Sequence, residues 1–162
     1  MIFSSKIKEE DRTALYNLAD SFGWSDEQLD YLIACMMFES GLNTKAVNKI
    51  SHAVGLIQFM PTTCKSLGTT SEEMLSLTFS QQLQYVKDYF LPYHKKVKTL
   101  NDMYMAILMP KYIGKPNSEN IFSSEVQYRQ NKGLDNNKDG VITKQEACSK
   151  VLFQYHKGLL DV

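Results

Sequence analysis

Residues 34–63 read ACMMFESGLNTKAVNKISHAVGLIQFMPTT. The stretch begins as the end of an apolar helix and carries one carboxylate, Glu39, before Gly41 stops the helix. No further acid occurs from Ser40 to Ser71. Upstream, Ser25-Asp26-Glu27-Gln28 forms a capping box, and Trp24 and Leu29 sit where a hydrophobic staple forms. Leu29, Leu32, Ile33, Met36 and Met37 then follow the spacing of a core-facing stripe. At about 100° per residue, Glu39 falls roughly 20° from Leu32 on the helical wheel. It therefore continues an edge of the apolar stripe. Partial burial and the negative end of the helix dipole both disfavour the ionised carboxyl, so its pKa is expected to rise. A carboxyl that stays protonated near neutral pH is what general acid catalysis requires.

Working outward, helix signals dominate and strand alternation is scarce, which predicts an all-α fold. Leu15, Leu18 and Phe22 are spaced for a helix over 7–22 that stops at Gly23. Pro61 starts a short helix ending at Gly68, and Thr70-Ser71-Glu72-Glu73 opens another. Thr78-Phe79-Ser80-Gln81 caps a longer one with Leu83, Val86 and Phe90 inward. Asn101 is expected to cap a helix through Met109, and a last helix over roughly 144–160 aligns Cys148, Val151, Leu152, Tyr155 and Leu159. The irregular stretch 110–125, with Pro110, Gly114 and Pro116, is expected to line a cleft.

The chain's 162 residues suit one domain, and 43% apolar and 22% charged residues are ordinary for a globular protein. Eighteen basic and eighteen acidic residues cancel, so no global field draws the chain to nucleic acid or an anionic membrane. We expect a monomer with no membrane insertion. Cys35, Cys64 and Cys148 form no CxxC and read as reduced, buried thiols. The N-terminal MIFSSKIKEEDR has no signal-peptide core, which implies synthesis in a cytoplasm and delivery by other means.

A second motif lies at 135–146. Asp135, Asn137 and Asp139 occupy positions 1, 3 and 5 of a twelve-residue EF-hand loop, and Gly140 makes its sharp turn. Val141 offers a carbonyl at position 7, and Ile142 is the apolar anchor. Thr143 at position 9 acts through water, and Glu146 at position 12 binds in bidentate fashion. Thr143 and Glu146 also form a capping box, with helices predicted on both sides. The expected ligand is structural Ca²⁺, with no organic cofactor. A single loop builds no paired sensor.

Glu39-Ser40-Gly41-Leu42 followed by Gly55-Leu56-Ile57-Gln58-Phe59-Met60-Pro61 resembles the signature of the lytic transglycosylases, relatives of goose-type lysozyme. Ile57 stands where that family commonly has Met. The resemblance is dense over 34–63. It extends to the segment Met105-Ala106-Ile107-Leu108-Met109-Pro110 with Gly114-Lys115-Pro116, and to residues around the 135–146 loop, which look like bacteriophage-encoded members. It implies a single lysozyme-like domain over 1–162 that cleaves peptidoglycan, with Glu39 as catalytic acid/base. Gln58 and the backbone around Phe59 and Met60 are implied to hold the sugar. Ser40, Asn48 and Ser51 are further candidates for substrate contact. The family places a Tyr near its Glu, and either Tyr104 or Tyr112 fills that role.

Glycosidases commonly use two carboxyl groups. The acid-free segment suggests that one suffices here. Glu39 would protonate the glycosidic oxygen between N-acetylmuramic acid and N-acetylglucosamine, then take a proton from the sugar's own C6 hydroxyl to close a 1,6-anhydro ring. A distant acid folded into the cleft, such as Asp88, Asp102 or Glu125, would instead favour hydrolysis. A calcium-binding virion protein without catalysis is the reading from another class. The enzyme is expected to act at the cell wall, reached through a holin pore at lysis or carried on a virion.

Overall fold

The computed structural model describes residues 1–162 as a helical domain of nine α-helices. They are α1 (Glu9–Phe22), α2 (Asp26–Ser40), α3 (Pro61–Ser66), α4 (Ser71–Ser76), α5 (Phe79–Phe90), α6 (Leu100–Leu108), α7 (Glu125–Asn131), α8 (Lys144–Ala147) and α9 (Ser149–Leu159). The all-α expectation holds, with isolated β-bridges alone at Val47–Val54, Val54–Phe59 and Asn120–Thr143. No helix is long and apolar enough to cross a membrane.

α2 is the central element. It packs against α1, α6 and α9, while α1 also packs against α5. Leu29, Leu32, Ile33, Ala34, Cys35 and Met36 of α2 are all buried, so the helix is surrounded rather than merely docked on one face. The capping boxes at Ser25 and Thr78 form as their sequences require, each closing two backbone amides at a helix start. Cys35, Cys64 and Cys148 are free and buried.

Two expectations are corrected. Thr99, not Asn101, caps α6, because its hydroxyl accepts the Asp102 amide (3.1 Å). Asn101 donates to Asn117 Oδ1 instead (3.0 Å). The last helix is broken at Cys148 into α8 and α9, and Leu152 and Leu159 face outward. The buried face of α9 uses Val151 and Gly158. A Cβ at Gly158 would lie 2.7 Å from the Phe3 ring and 2.9 Å from Ile2, so the bare backbone makes room for the N-terminus. Ile2 and Phe3, which carry no periodic signal, are thereby core residues at 0% and 1% exposure. The irregular stretch does line a recess: Gly114, Lys115, Pro116 and Asn117 wall one over Asp102 and Lys144, separate from the recess at Gln58.

Candidate active site

Glu39 occupies the last turn of α2, just before Gly41, whose φ of +63° returns the chain and whose amide donates to the Met37 carbonyl (2.9 Å). The side chain is partly buried. Burial pushes its carboxyl up from 4.5 to about 7, and no neighbouring charge is needed to explain the shift. The three acids that would compete for a second catalytic role are engaged or exposed elsewhere. Asp102 is ion-paired with Lys144, Glu125 pairs with Arg129 on the surface, and Asp88 is exposed.

Two tyrosines lie within electrostatic reach of Glu39. Burial, then the Glu39 charge, raises the hydroxyl pKa of Tyr104 on α6; at Tyr89 on α5, burial is followed by Tyr93 and then Glu39. Both phenols therefore stay neutral near the carboxyl. Tyr104 also meets the Phe38 ring edge-on (5.7 Å between centroids, 80°). Tyr112 is placed differently, under the Lys111 ammonium 5.0 Å from its ring centroid. Of the two candidates, Tyr104 is the one whose hydroxyl feels the Glu39 charge, and it packs on Phe38, the residue before Glu39. Tyr89 was missed by the sequence reading. Its hydroxyl donates to the Ala106 carbonyl (2.5 Å), tying α5 to α6, and its ring meets Phe59 edge-on.

The segment 42–60 folds back as a compact turn. Val54 and Phe59 exchange backbone hydrogen bonds (2.9 and 2.8 Å), and the Asn48 amide donates to the Ala53 carbonyl (2.9 Å). Leu42, His52 and Gln58 take positive φ of +62°, +63° and +57°, a cost that the surrounding bonds must hold in place. Gln58 donates its side-chain amide to the Gly55 carbonyl (3.1 Å) and the Ala46 carbonyl (3.4 Å). Asn48 accepts from the Ile50 and Ser51 amides (2.9 and 3.0 Å), and Ser51 Oγ accepts from Ala53 (3.3 Å). Ser40 Oγ donates to Met36 and across to the Leu56 carbonyl (2.9 Å). Ser40, Asn48 and Ser51 thus shape the turn, whereas Met60 is 43% exposed beside the buried Phe59. Gln58, Phe59, Met60, Thr63, Tyr89 and Ile107 line a recess of about 40 Å³.

Gln82, fully buried on α5, was also missed. Its amide serves three separate pieces of backbone: Thr44 and Met74 as acceptors (2.7 and 2.8 Å), and Leu56 as donor (3.1 Å). The signal was present. Gln82 lies four residues before Val86 on the apolar face of α5, just as Glu39 lies on that of α2.

The second motif, 135–146, is a loop closed by its own side chains. Gly140 has φ +85° and Ile142 is fully buried. Asp135 accepts from the Tyr128 hydroxyl (2.7 Å) and the Gly140 amide (3.0 Å), Asp139 from Val141 (2.9 Å), and Glu146 from Asn136 (2.9 Å) and Thr143 Oγ1 (3.0 Å). No three His, Cys, Asp or Glu side chains converge into a metal-holding group.

The phage tail lysozyme family model matches residues 10–107, more than half of the chain. The chain belongs to the phage tail lysozyme family. It is a lysozyme-like, muralytic domain that acts on the glycan of peptidoglycan. The matched span holds Glu39, Gln58, Gln82, Tyr89 and Tyr104, and ends before the 135–146 loop. No curated protein and no solved structure matches significantly.

Proposed function

We propose that this muralytic enzyme is a lytic transglycosylase in which Glu39 alone carries the proton chemistry. The observation that supports this most directly is a carboxyl raised to about 7 by burial, followed by an acid-free segment. Protonated Glu39 donates to the oxygen bridging N-acetylmuramic acid and N-acetylglucosamine, and the C1–O bond breaks. The ionised Glu39 then accepts the proton of the muramic acid C6 hydroxyl as that oxygen bonds to C1. Atoms and protons balance without water. Tyr104 and Tyr89, held neutral, wall the carboxyl, while Gln58, Phe59 and Met60 hold the sugar. Ser40, Asn48 and Ser51 contribute by shaping the turn that presents them. Mass spectrometry of digested sacculi tests the reading. Products lighter by one water than hydrolytic muropeptides support it, and reducing ends assign the enzyme to the hydrolases.

We also propose that the 135–146 loop takes up Ca²⁺. Its donors are hard oxygens suited to that ion: the Asp135, Asn137, Asp139 and Glu146 side chains, the Val141 carbonyl, and Thr143 through water. In the structure the Asp135, Asn137, Asp139 and Glu146 oxygens accept the loop's own amides, which gives a cation a preshaped turn to replace. The ion's chemistry there is structural. The family's description favours a site of action at the cell wall reached on a phage tail, over release through a holin.

A further inference from the structure

Leu56 precedes the sugar-holding residues Gln58, Phe59 and Met60, and both of its peptide groups are held by side chains rather than by a regular ladder. Gln82 Oε1 accepts its N–H (3.1 Å), and Ser40 Oγ donates to its C=O (2.9 Å). The two clamping side chains come from different helices. Ser40 is the residue next to Glu39 on α2, and Gln82 is one turn into α5, the helix that also brings Tyr89. The other end of Gln82 is fixed in turn, since its Nε2 donates to both Thr44 and Met74. All polar atoms of this fully buried amide are therefore used, and none can be released without leaving a buried group unpaired.

Gly55 completes the fit. With φ +75° it turns the chain over the amide, and a Cβ there would stand 2.6 Å from Gln82 Oε1. The approach of the turn to Gln82 is thus as close as a chain without a side chain allows.

We propose that Gln82 is a positioning residue for the glycan cleft: it sets the register of the 55–60 turn against Glu39 by clamping Leu56 from the side opposite Ser40. It touches no substrate and acts through the backbone that does. The inference rests on the reading of Gln58 to Met60 as the sugar-holding segment.

The test is Gln82→Met, which keeps the length and unbranched shape of the side chain and removes every hydrogen bond of the amide. Steady-state kinetics on soluble, uncrosslinked glycan strands should show KM raised about tenfold or more, the loss expected when a buried donor is orphaned beside a binding segment. Hydrogen exchange at the Leu56 amide should accelerate by a similar factor. Leu15→Ala, a cavity in the core between α1 and its neighbours, provides the comparison. It lowers the melting temperature and the active fraction, so apparent kcat falls while KM stays. If Gln82→Met behaves like Leu15→Ala, the proposal is overturned. Should Gln82→Met not fold, Gln82→Asn keeps the amide but loses one methylene of reach, and an unchanged KM in that folded variant is equally fatal. If wild type and Glu39→Gln cleave glycan alike, the catalytic reading fails and the positioning role with it. Normal cleavage with a Gln82 variant of unchanged KM refutes the clamp alone.

Discussion

Two long non-helical turns in this chain solve the same problem by opposite chemistry. The turn at 42–60 must satisfy its backbone without charge, and it does so with amides and hydroxyls: Ser40, Asn48, Ser51, Gln58 and Gln82. The turn at 135–146 uses carboxylates, with Asp135, Asp139 and Glu146 accepting from their own loop. The turn itself carries no acid, and burial is what raises the Glu39 carboxyl at the end of α2. Acidic satisfaction gathers like charges, which a cation would offset. One turn keeps acids away from a buried carboxyl, and the other gathers the carboxylates for which we propose a cation.

The sharpest way to break this contrast is to remove the isolated proton. Glu39→Gln should reduce wall lysis by at least about 10²-fold, the range for loss of a general acid, with the helical circular dichroism spectrum unchanged. Turbidity clearing of sacculi measures it, and lysis at wild-type rate would deny Glu39 its role. For the wild type, activity should fall as pH rises through about 7, as the carboxyl loses its proton.

The next test concerns the one place where the acidic turn reaches the helix that carries Tyr104. Lys144 Nζ, 2% exposed, donates to Asp102 Oδ1 (2.7 Å) and the Lys115 carbonyl (2.9 Å). Burial works against the Asp102 charge, but Lys144 and the Gly114 and Lys98 amides outweigh it and hold the carboxyl below its usual range. Lys144→Met would leave a buried carboxylate unpaired and should cost about 3–5 kcal/mol. Urea unfolding of the variant measures this, and a loss under about 1 kcal/mol would show the pair to be well hydrated.

A third test reads the isolation of Glu39 as stability. The folded chain binds its proton more tightly than the unfolded chain, 7 against 4.5, so stability falls as pH rises through that window. Glu39→Gln removes the penalty. At pH 8 the variant should therefore be more stable than wild type, by at most about 3 kcal/mol before solvent screening reduces it. At pH 4 the two should melt together. Equal melting curves at both pH values would mean that the carboxyl is hydrated like any surface acid.

Much of this was legible because local rules governed it. The boxes at Ser25 and Thr78, the stripe of α2 and the place of Glu39 on it all depend on residues within a few positions of each other. What escaped depends on distant partners. Ile2 and Phe3 are core only because Gly158, more than 150 residues away, presents bare backbone to them. Tyr104 and Tyr112 share a segment, and only the packing of α6 on α2 separates them. Periodicity puts Gln82 on the apolar face of α5, but its role lies in joining Thr44, Leu56 and Met74, which no periodicity connects.

The smallest expected effect bears on the acidic turn itself. Ca²⁺ at 100 times its dissociation constant adds about 2.7 kcal/mol to a site that binds the folded state alone. For a chain of this size that is a rise of roughly 5–10 °C in melting temperature. Asp135→Ala should remove the rise, because Asp135 supplies the first ligand and also receives the Tyr128 hydroxyl and the Gly140 amide that shape the turn. The control separates ion from architecture: with chelator present, a residual difference between wild type and Asp135→Ala reports those hydrogen bonds alone. If calcium and chelator give one melting curve for the wild type, the carboxylates of 135–146 are satisfied by loop amides as fully as the neutral groups of 42–60. The contrast between the two turns would then be one of composition without consequence for ions.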